Sequence, residues 1–390
     1  MLSNEHIKAI QASIPLLAEH GTTITDKFYD RLFQAHPDLF NMFNRSNQKS
    51  GTQRNALAEA IFAYASHIED VSVLIPVIHR IAHKHSSIGV SADLYPVVGE
   101  HLLGAIQDVL NLPDNHSALS AWAAAYQVLA DTFISVEKSL ANKNTEHLKW
   151  KGFQDFSIIK TWHETPEVVS VWLKPTTDLN IDYKAGQYIS VRIPSIDDGF
   201  DQIRQYSISD WDTEKQYIRI TVKTESHGRV SPFIHMLEVG KTISASAPQG
   251  VFLLNKHAHS HCFVSAGVGI TPLFCMLKEA ILKHKIDGSK ITFIQCSRSA
   301  VHQIYRKELN ELCIGYGVTL KLVFEQDNHG DHQGLISHNE LKNWVNTELS
   351  DVYYCGPKPF MEELQTQLAA LDVPGSRQHF ELFGPSTSLS

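Results

Sequence analysis

The sequence predicts a multidomain protein of α and α/β class: an all-α domain, then an antiparallel β-barrel, then a doubly wound α/β domain. Three patterns support this prediction. Apolar residues recur at helical spacing and never at period two before residue 150, short β-type segments follow at close intervals, and buried strands then alternate with helices. At 390 residues the chain suits two or three cores, and the predicted domains are 1–140, 150–257 and 258–390.

Composition narrows the class of protein. Apolar content of 43% and charged content of 19% are typical of a globular chain. A net charge of −8 without any Lys/Arg run argues against a nucleic-acid surface, and no apolar stretch approaches the length of a membrane span. The five cysteines form no CxxC pair and all fall in the last third, which favours isolated core thiols over disulfides or a zinc site. We therefore expect a cytoplasmic protein.

The first third is predicted to hold roughly seven helices. The first runs over residues 4–20 and stops at Gly21, because glycine commonly ends helices. Further apolar stripes cover residues 23–33, 55–68, 71–84, 93–110 and 117–140. The polar segment Ala141–Glu146 is interpreted as a link to the next domain.

Two polar side chains on the apolar stripes are candidates for a ligand pocket. Gln53 falls on the stripe of Leu57 and Ile61, and a polar group there costs free energy unless something satisfies it. Tyr29 lies among apolar neighbours in the same way. The ordinary alternatives are an amide that reaches solvent and a phenol that bonds a nearby carbonyl.

Histidines are abundant, with 22 in the chain, so a single one is weak evidence of a metal ligand. A haem iron needs a neutral imidazole whose other ring nitrogen is held by an acceptor. His85 with Tyr95 and Glu137 could supply that arrangement, but spacing alone does not choose His85 over His79 or His83.

The middle third reads as six short strands, which suggests a small antiparallel barrel. The predicted strands are 153–159, 168–173, 188–193, 206–209, 217–222 and 242–247. FAD needs a cation for its pyrophosphate, an aromatic platform for its isoalloxazine ring and a hydrogen-bond donor near that ring. The segment Arg204, Gln205, Tyr206 and Ser207 offers one of each.

Neighbouring residues strengthen the FAD interpretation. Tyr188 stands one strand earlier, and Val230 precedes a predicted helix start at Ser231 and Pro232. Ser231 would be the N-cap of that helix, whose amides would face the phosphates.

The last third predicts a dinucleotide site. A buried strand at 262–266 leads into Gly267, Val268, Gly269, Ile270, Thr271 and Pro272, and a helix follows at 273–282. Glycines there allow the backbone to approach a pyrophosphate. Strands at 291–295 and 319–324 alternate with helices, and a strand at 352–354 ends in Cys355, Gly356 and Pro357. Because the motifs occur in a strand–loop–helix context, NADH or NADPH is the expected ligand.

These motifs resemble a known family over essentially the whole chain. Residues 1–140 are similar to the globin domain of bacterial flavohaemoglobins, and the rest resembles the ferredoxin–NADP reductase superfamily. The matching globin segments are Ile14–Leu17, Lys27–Arg31, Phe43, Ser46–Gln48, Gln53–Arg54, Ala63–Ser66, Lys84–His85 and Val98–Leu102.

The resemblance assigns roles to the residues of the helical domain. It makes His85 the proximal haem ligand, with Tyr95 and Glu137 as its hydrogen-bond relay, so His85 is preferred over its neighbours. Tyr29 and Gln53 would line the distal face, where the Tyr29 hydroxyl could donate a hydrogen bond to bound oxygen. The implied apolar wall consists of Phe43, Leu57, Ile61 and Leu102.

The resemblance also assigns roles near the C-terminus. Cys355 would lie at the nicotinamide pocket, and Glu381 and Phe383 would close over the flavin. Lys84 and Glu381 are implied to tune the haem and flavin potentials. The cofactor-binding segment is completed by Leu382, Gly384 and Pro385.

The implied activity is that of a nitric oxide dioxygenase with haem b, FAD and NADH or NADPH. Its partners would be oxygen, nitric oxide and the nicotinamide nucleotide, in a monomer without an obligatory protein partner, nucleic acid or integral membrane association. The alternatives are a flavin, ferric or dihydropteridine-type reductase with a regulatory globin, a gas sensor, and lipid binding in the haem pocket. A sensor has no need for a complete reductase.

The choice of nucleotide stays open from the sequence. Ser297 and Arg298 could bind a 2′-phosphate, whereas Glu325 and Asp327 after the next strand would repel it, so NADH is favoured.

Overall fold

A computed structural model describes residues 2–43, 51–194, 199–210, 214, 216–226 and 228–384. The described chain forms two compact units. The first is built on residues 2–152 together with 192–204, and the second on 153–191 together with 205–384.

The first unit is all-α over residues 2–43 and 51–148, as predicted. Its helices are α1 (Asn4–Ala35), α2 (Thr52–Ser66), α3 (Ile75–Ile88), α4 (Leu94–Leu110) and α5 (Ser117–Leu148). Short 3-10 helices cover Pro37–Asn41 and Val71–Leu74. The core of this unit packs α1 against α2, α4 and α5.

The predicted stop at Gly21 is wrong, because α1 continues through it to Ala35. A Cβ at Gly21 would lie 3.6 Å from the Cβ of Ala58 on α2, which is ordinary van der Waals contact. The glycine therefore lies where two helices approach each other, and it does not adopt the left-handed conformation that ends a helix.

The segment predicted as a polar link is helical as well. Ala141–Glu146 lies inside α5, which ends only at Leu148. Every side chain of this segment except Asn144 is exposed. Its polarity therefore marks a helix surrounded by solvent, since backbone hydrogen bonds within a helix need no apolar face.

The chain after residue 152 begins with a six-stranded antiparallel sheet, as the predicted barrel requires. Its strands are β1 (Phe153–Thr165), β2 (Val168–Pro175), β3 (Tyr188–Ile193), β4 (Gln202–Ser207), β5 (Ile218–Lys223) and β6 (Thr242–Ser246). The order is β4-β3-β6-β1-β2-β5, and helix α6 (Val230–His235) precedes β6. A bridge between Ile208, just after β4, and Ile220 on β5 joins the two ends of the sheet.

Two strands of this sheet differ from the prediction: β1 was expected at 153–159 and runs on to Thr165, and the fourth strand starts earlier than expected. Residues 206–209 were expected to form the fourth strand, but β4 is Gln202–Ser207. Gln202 is buried although polar, so the alternation that would have revealed the start of the strand is hidden in the sequence. The whole Arg204–Ser207 segment consequently lies on one extended strand.

The remainder of the second unit is a parallel sheet of six strands. They are β7 (Ser260–Ala266), β8 (Ile291–Ser297), β9 (Thr319–Phe324), β10 (His332–Gln333), β11 (Ser350–Cys355) and β12 (Gln378–Phe380). Connecting helices are α7 (Ile270–Lys278), α8 (Arg306–Tyr316), α9 (His338–Trp344) and α10 (Lys358–Ala370).

Strand order places a reversal at the centre of this sheet. The order is β10-β9-β8-β7-β11-β12, so the chain moves outward from β7 and then returns to β11 on its other side. Ligands of open α/β sheets bind outside the carboxyl ends of the strands at such a reversal. The site is therefore expected where β7 and β11 end.

Candidate functional site

Three helices of the first unit bring together the residues predicted for the proximal site. His85 comes from α3, Tyr95 from α4 and Glu137 from α5. The Tyr95 hydroxyl donates to Glu137 Oε1 at 2.6 Å, and His85 Nδ1 lies 2.9 Å from the same oxygen and 3.1 Å from the Tyr95 hydroxyl. Tyr95 and Glu137 are buried, whereas the His85 side chain is 31% exposed.

The chemistry of this triad suits a metal-ligating imidazole. A carboxylate can only accept hydrogen bonds, so His85 Nδ1 carries the proton that faces Glu137, and Nε2 is the nitrogen left for a metal. Burial, followed by the hydrogen bond to Glu137, raises the pKa of Tyr95 far above its ordinary value, so the phenol remains a donor. His79, by contrast, is exposed on the same helix.

The residues predicted for the distal side meet in the apolar core of the same unit. Tyr29 is 4% exposed, and its ring centroid lies 4.8 Å from that of Phe28, 5.7 Å from Phe33 and 6.0 Å from Phe43. Leu102 belongs to this cluster, and Leu57 and Ile61 pack against it. Gln53 is half-buried one turn before Leu57 on α2.

The donor set and the pocket walls therefore fit a haem group. One imidazole backed by a buried acid and phenol matches a proximal ligand, and the Tyr29 phenol within a cluster of aromatic and aliphatic side chains matches a distal wall. Lys84, next to the imidazole, is half-buried on α3.

The predicted FAD segment runs along β4 in the antiparallel sheet. Arg204, Gln205 and Tyr206 are half-buried, and Ser207 is buried. Gln205 Nε2 donates to Ser190 Oγ on the adjacent strand at 3.2 Å. Tyr188 is the first residue of β3 and forms an isolated antiparallel β-bridge with Gln249, which holds the start of that strand.

The role predicted for Ser231 as a helix N-cap is wrong. Helix α6 begins at Val230, so Ser231 lies within its first turn, and Arg229 holds the cap position without a side-chain bond. The Ser231 hydroxyl instead accepts a hydrogen bond from the Glu225 backbone N–H at 2.9 Å. The helix begins two residues earlier than expected, and its first residue, Val230, is 2% exposed.

Backbone packs against backbone where β7 and β11 end. A Cβ at Gly269 would lie 2.1 Å from the carbonyl oxygen of Cys355 and 2.6 Å from the backbone nitrogen of Gly356, so only glycine fits there. Gly267 has a φ of +54°, and the Thr271 hydroxyl bonds the Val268 carbonyl at 2.9 Å. The two predicted segments, Gly267–Pro272 and Cys355–Pro357, therefore pack directly against each other.

Cys355 lies where these two segments pack together. It is fully buried, and its thiol donates to the backbone oxygen of Glu381 at 3.3 Å. Burial raises the pKa of the Cys355 thiol well above its ordinary value. All five cysteines are buried and free, as predicted.

The C-terminal segment is only partly described. Glu381 and Leu382 are half-buried, and Phe383 and Gly384 are exposed. Pro385, predicted as a cofactor contact, lies outside the described residues.

Sequence reasoning missed a buried charge network in the second unit. Arg219 on β5 is 1% exposed, and its Nη1 donates to both carboxylate oxygens of Glu308, at 3.1 and 2.9 Å. Its guanidinium carbon lies 4.4 Å from the ring centroid of Tyr305. The available signal was an arginine within the otherwise apolar or β-branched run Ile218–Val222.

No helix within the described ranges is long and apolar enough to cross a membrane.

Comparison with known proteins matches all three parts of the chain to families. Residues 26–133 match the globin family, 166–253 the oxidoreductase FAD-binding domain and 263–366 the oxidoreductase NAD-binding domain. A flavohemoprotein of Bacillus subtilis is 39% identical over 401 residues, which cover 100% of this chain and 99% of the relative. A flavohemoprotein of Bordetella parapertussis is 38% identical, with 98% and 99% covered.

Solved structures give the same result. The crystal structure of a flavohemoglobin from Malassezia yamatoensis with bound FAD and heme superposes with a TM-score of 0.88 at 28% identity, over 98% of this chain and 100% of that one. The FAD/NAD-binding domain of a nitric oxide dioxygenase from Vibrio cholerae has a TM-score of 0.56 at 30% identity, over 60% of this chain and 99% of that one.

Proposed function

Because the chain belongs to the flavohaemoprotein family, we propose that it is an NAD(P)H-dependent nitric oxide dioxygenase with haem b and FAD. The observation that carries the proposal is the hydrogen-bonded set of His85, Tyr95 and Glu137 in a chain that also contains the flavin and nicotinamide folds. A globin that only stored oxygen would need no reductase.

The residues of the first unit would act on haem as follows. His85 would hold the iron through Nε2, while Glu137 and Tyr95 fix the ring orientation and increase its electron donation. Haem, when bound, would supply the iron chemistry by which oxygen and nitric oxide are converted to nitrate. The Tyr29 hydroxyl would donate a hydrogen bond to the diatomic ligand, and the apolar wall around it would exclude water.

Residues after position 152 would bind the two other cofactors. Arg204 and Ser207 on β4 are proposed to hold FAD, which divides the hydride's electron pair into single electrons. The Gly267–Pro272 and Cys355–Pro357 segments are proposed to hold the nicotinamide nucleotide, with its pyrophosphate near Gly267, which is exposed. Lys84 and Glu381 are proposed to tune the potentials.

The remaining parts of the proposal concern organisation. The three domains would be 1–140, 150–257 and 258–390, consistent with the family matches that fall inside these ranges. We place the protein in the cytoplasm as a monomer, which size-exclusion chromatography with light scattering would test.

Nitric oxide consumption under oxygen tests the activity. The wild type should consume nitric oxide while it oxidises NADH, and His85→Ala should lose both the Soret band and this consumption. Flavin reduction by NADH should persist in His85→Ala, and His79→Ala, an exposed histidine on the same helix, should behave like the wild type. Equal nitric oxide consumption by His85→Ala would favour a reductase with a merely regulatory globin.

Tyr29→Phe separates the distal role from haem binding. Loss of its hydrogen bond should speed oxygen dissociation by roughly tenfold, with an unchanged Soret intensity. An unaltered dissociation rate would remove the role assigned to this hydroxyl.

A further inference from the structure

Arg298 is held by an acidic side chain from the antiparallel sheet. It directly follows β8, and its Nη2 donates to Glu167 Oε2 at 2.6 Å. Glu167 lies in the turn between β1 and β2, and its own backbone carbonyl accepts from the Thr224 backbone N–H at 2.8 Å. The turn is therefore anchored, and the contact joins the two sheets of the second unit.

The position of Arg298 gives this ion pair a functional meaning. In nucleotide-binding parallel sheets, the adenosine ribose lies beyond the strand that follows the glycine-rich loop and its helix. An acidic residue there suits a free 2′-hydroxyl, whereas an arginine accommodates a 2′-phosphate. Here β7, the Gly267–Pro272 segment and β8 place Arg298 at that point.

The pair is partly exposed, and the charges around it keep both groups ionised. The hydrogen bond from Arg298 lowers the pKa of Glu167, and Lys223 and His302 contribute in the same direction, so the carboxylate is ionised at neutral pH. Glu167 in turn raises the pKa of Arg298.

A second acidic residue near the pair has a structural use. Asp327 Oδ2 accepts the Ala300 backbone N–H at 2.8 Å, so this carboxylate shapes the loop after Arg298. Glu325 raises the pKa of Arg298 through its charge, and the carboxylate that accepts a hydrogen bond from the arginine is that of Glu167, which comes from a distant part of the sequence.

We propose that Glu167 occupies Arg298 and thereby makes this chain select NADH over NADPH. This inference rests on the proposed function, because it concerns the nucleotide of the same site. A 2′-phosphate would have to displace a carboxylate from its charge-assisted hydrogen bond or lie beside that like charge. A neutral 2′-hydroxyl neither has to displace the carboxylate nor is repelled by its charge.

Glu167→Gln tests the proposal, because the amide keeps the shape of the side chain and removes its charge. The ratio of kcat/KM for NADPH to that for NADH, measured by stopped-flow flavin reduction, should rise about tenfold. Glu167→Gln combined with Arg298→Gln should return the ratio to the wild-type value, because the cation is then missing. The matched control is Glu311→Gln, which removes the same charge from an exposed pair with Lys307 on α8.

A binding measurement separates this inference from the proposed activity. AMP and adenosine 2′,5′-bisphosphate differ only in the 2′-phosphate, and calorimetry with the holoprotein needs no redox step. Glu167→Gln should gain affinity for the bisphosphate relative to AMP, again by about tenfold. Ratios within twofold of the wild type in both assays would overturn the inference. A holoprotein that NADH does not reduce, but that shows the expected change in binding, would refute only the activity.

Discussion

Glu137→Gln should raise the midpoint potential of the bound haem. The substitution keeps the side-chain shape but replaces an anionic hydrogen-bond acceptor with a neutral one. The oxygen concerned, Glu137 Oε1, is the hydrogen-bond partner of both His85 and Tyr95. Hydrogen bonds to charged groups contribute about 1.5–3 kcal/mol, against about 0.5–1.5 kcal/mol for neutral ones. For one electron, about 1.4 kcal/mol corresponds to about 59 mV.

Only the part of this difference that distinguishes ferric from ferrous iron changes the potential. Because a more electron-rich imidazole stabilises the ferric state, we expect an upward shift of roughly 30–60 mV. Spectroelectrochemical titration of the Soret band measures the shift directly. Asp131→Asn is the control, since Asp131 is an exposed carboxylate on the same helix.

The relay also predicts a change of opposite sign. Tyr95→Phe removes the hydroxyl that donates to Glu137 Oε1 at 2.6 Å. The carboxylate then interacts more strongly with His85, so the midpoint potential of the haem should fall. A shift in Glu137→Gln that is below about 10 mV, downward, or equal to that of Asp131→Asn would refute this reasoning.

Four further outcomes follow from the second unit. Gly269→Ala forces a Cβ to within 2.1 Å of the Cys355 carbonyl, so flavin reduction by NADH should fall at least about tenfold, at a stability cost of about 1–3 kcal/mol. Gly315→Ala, with nothing within 4 Å on a helix, should keep activity and gain up to about 1 kcal/mol in urea unfolding. Burial lowers the pKa of His261, so the unfolded chain takes up its proton first and stability should fall as pH drops below about 6.5. His261→Gln should flatten this loss between about pH 7 and pH 5 in urea midpoints, whereas exposed His338→Gln should not; equal slopes in both would contradict the assignment. Burial also raises the pKa of the cysteine thiols, so Ellman's reagent at about pH 8 should label none before unfolding and all afterwards; rapid labelling of the native protein would be the contrary result.

Much of the fold could be predicted because its periodicities are local. Helical spacing before residue 150 and strand alternation afterwards indicated the correct class and order of the parts. The errors arose where one residue type serves two purposes. Gly21 lies inside α1 on the side that faces α2, and the polar residues 141–146 cover an exposed part of α5, but glycine and polar residues also occur at helix ends and in loops.

The candidate site was less accessible to sequence reasoning. Spacing could not choose His85 over His79 or His83, because its partners lie 10 and 52 residues away on other helices. The family resemblance made that choice, and the structure brings the three side chains together. Glu167 carried no signal at all, since a glutamate in a turn is ordinarily solvated.

The close contact of Gly269 with Cys355 and Gly356 has a consequence for redesign. The proposed nucleotide site is formed by main chain at this point, so no side-chain substitution here can change which nucleotide it selects. Selectivity can then change only at the edge of the proposed site, where single charges such as that of Glu167 can be added or removed without altering this backbone contact.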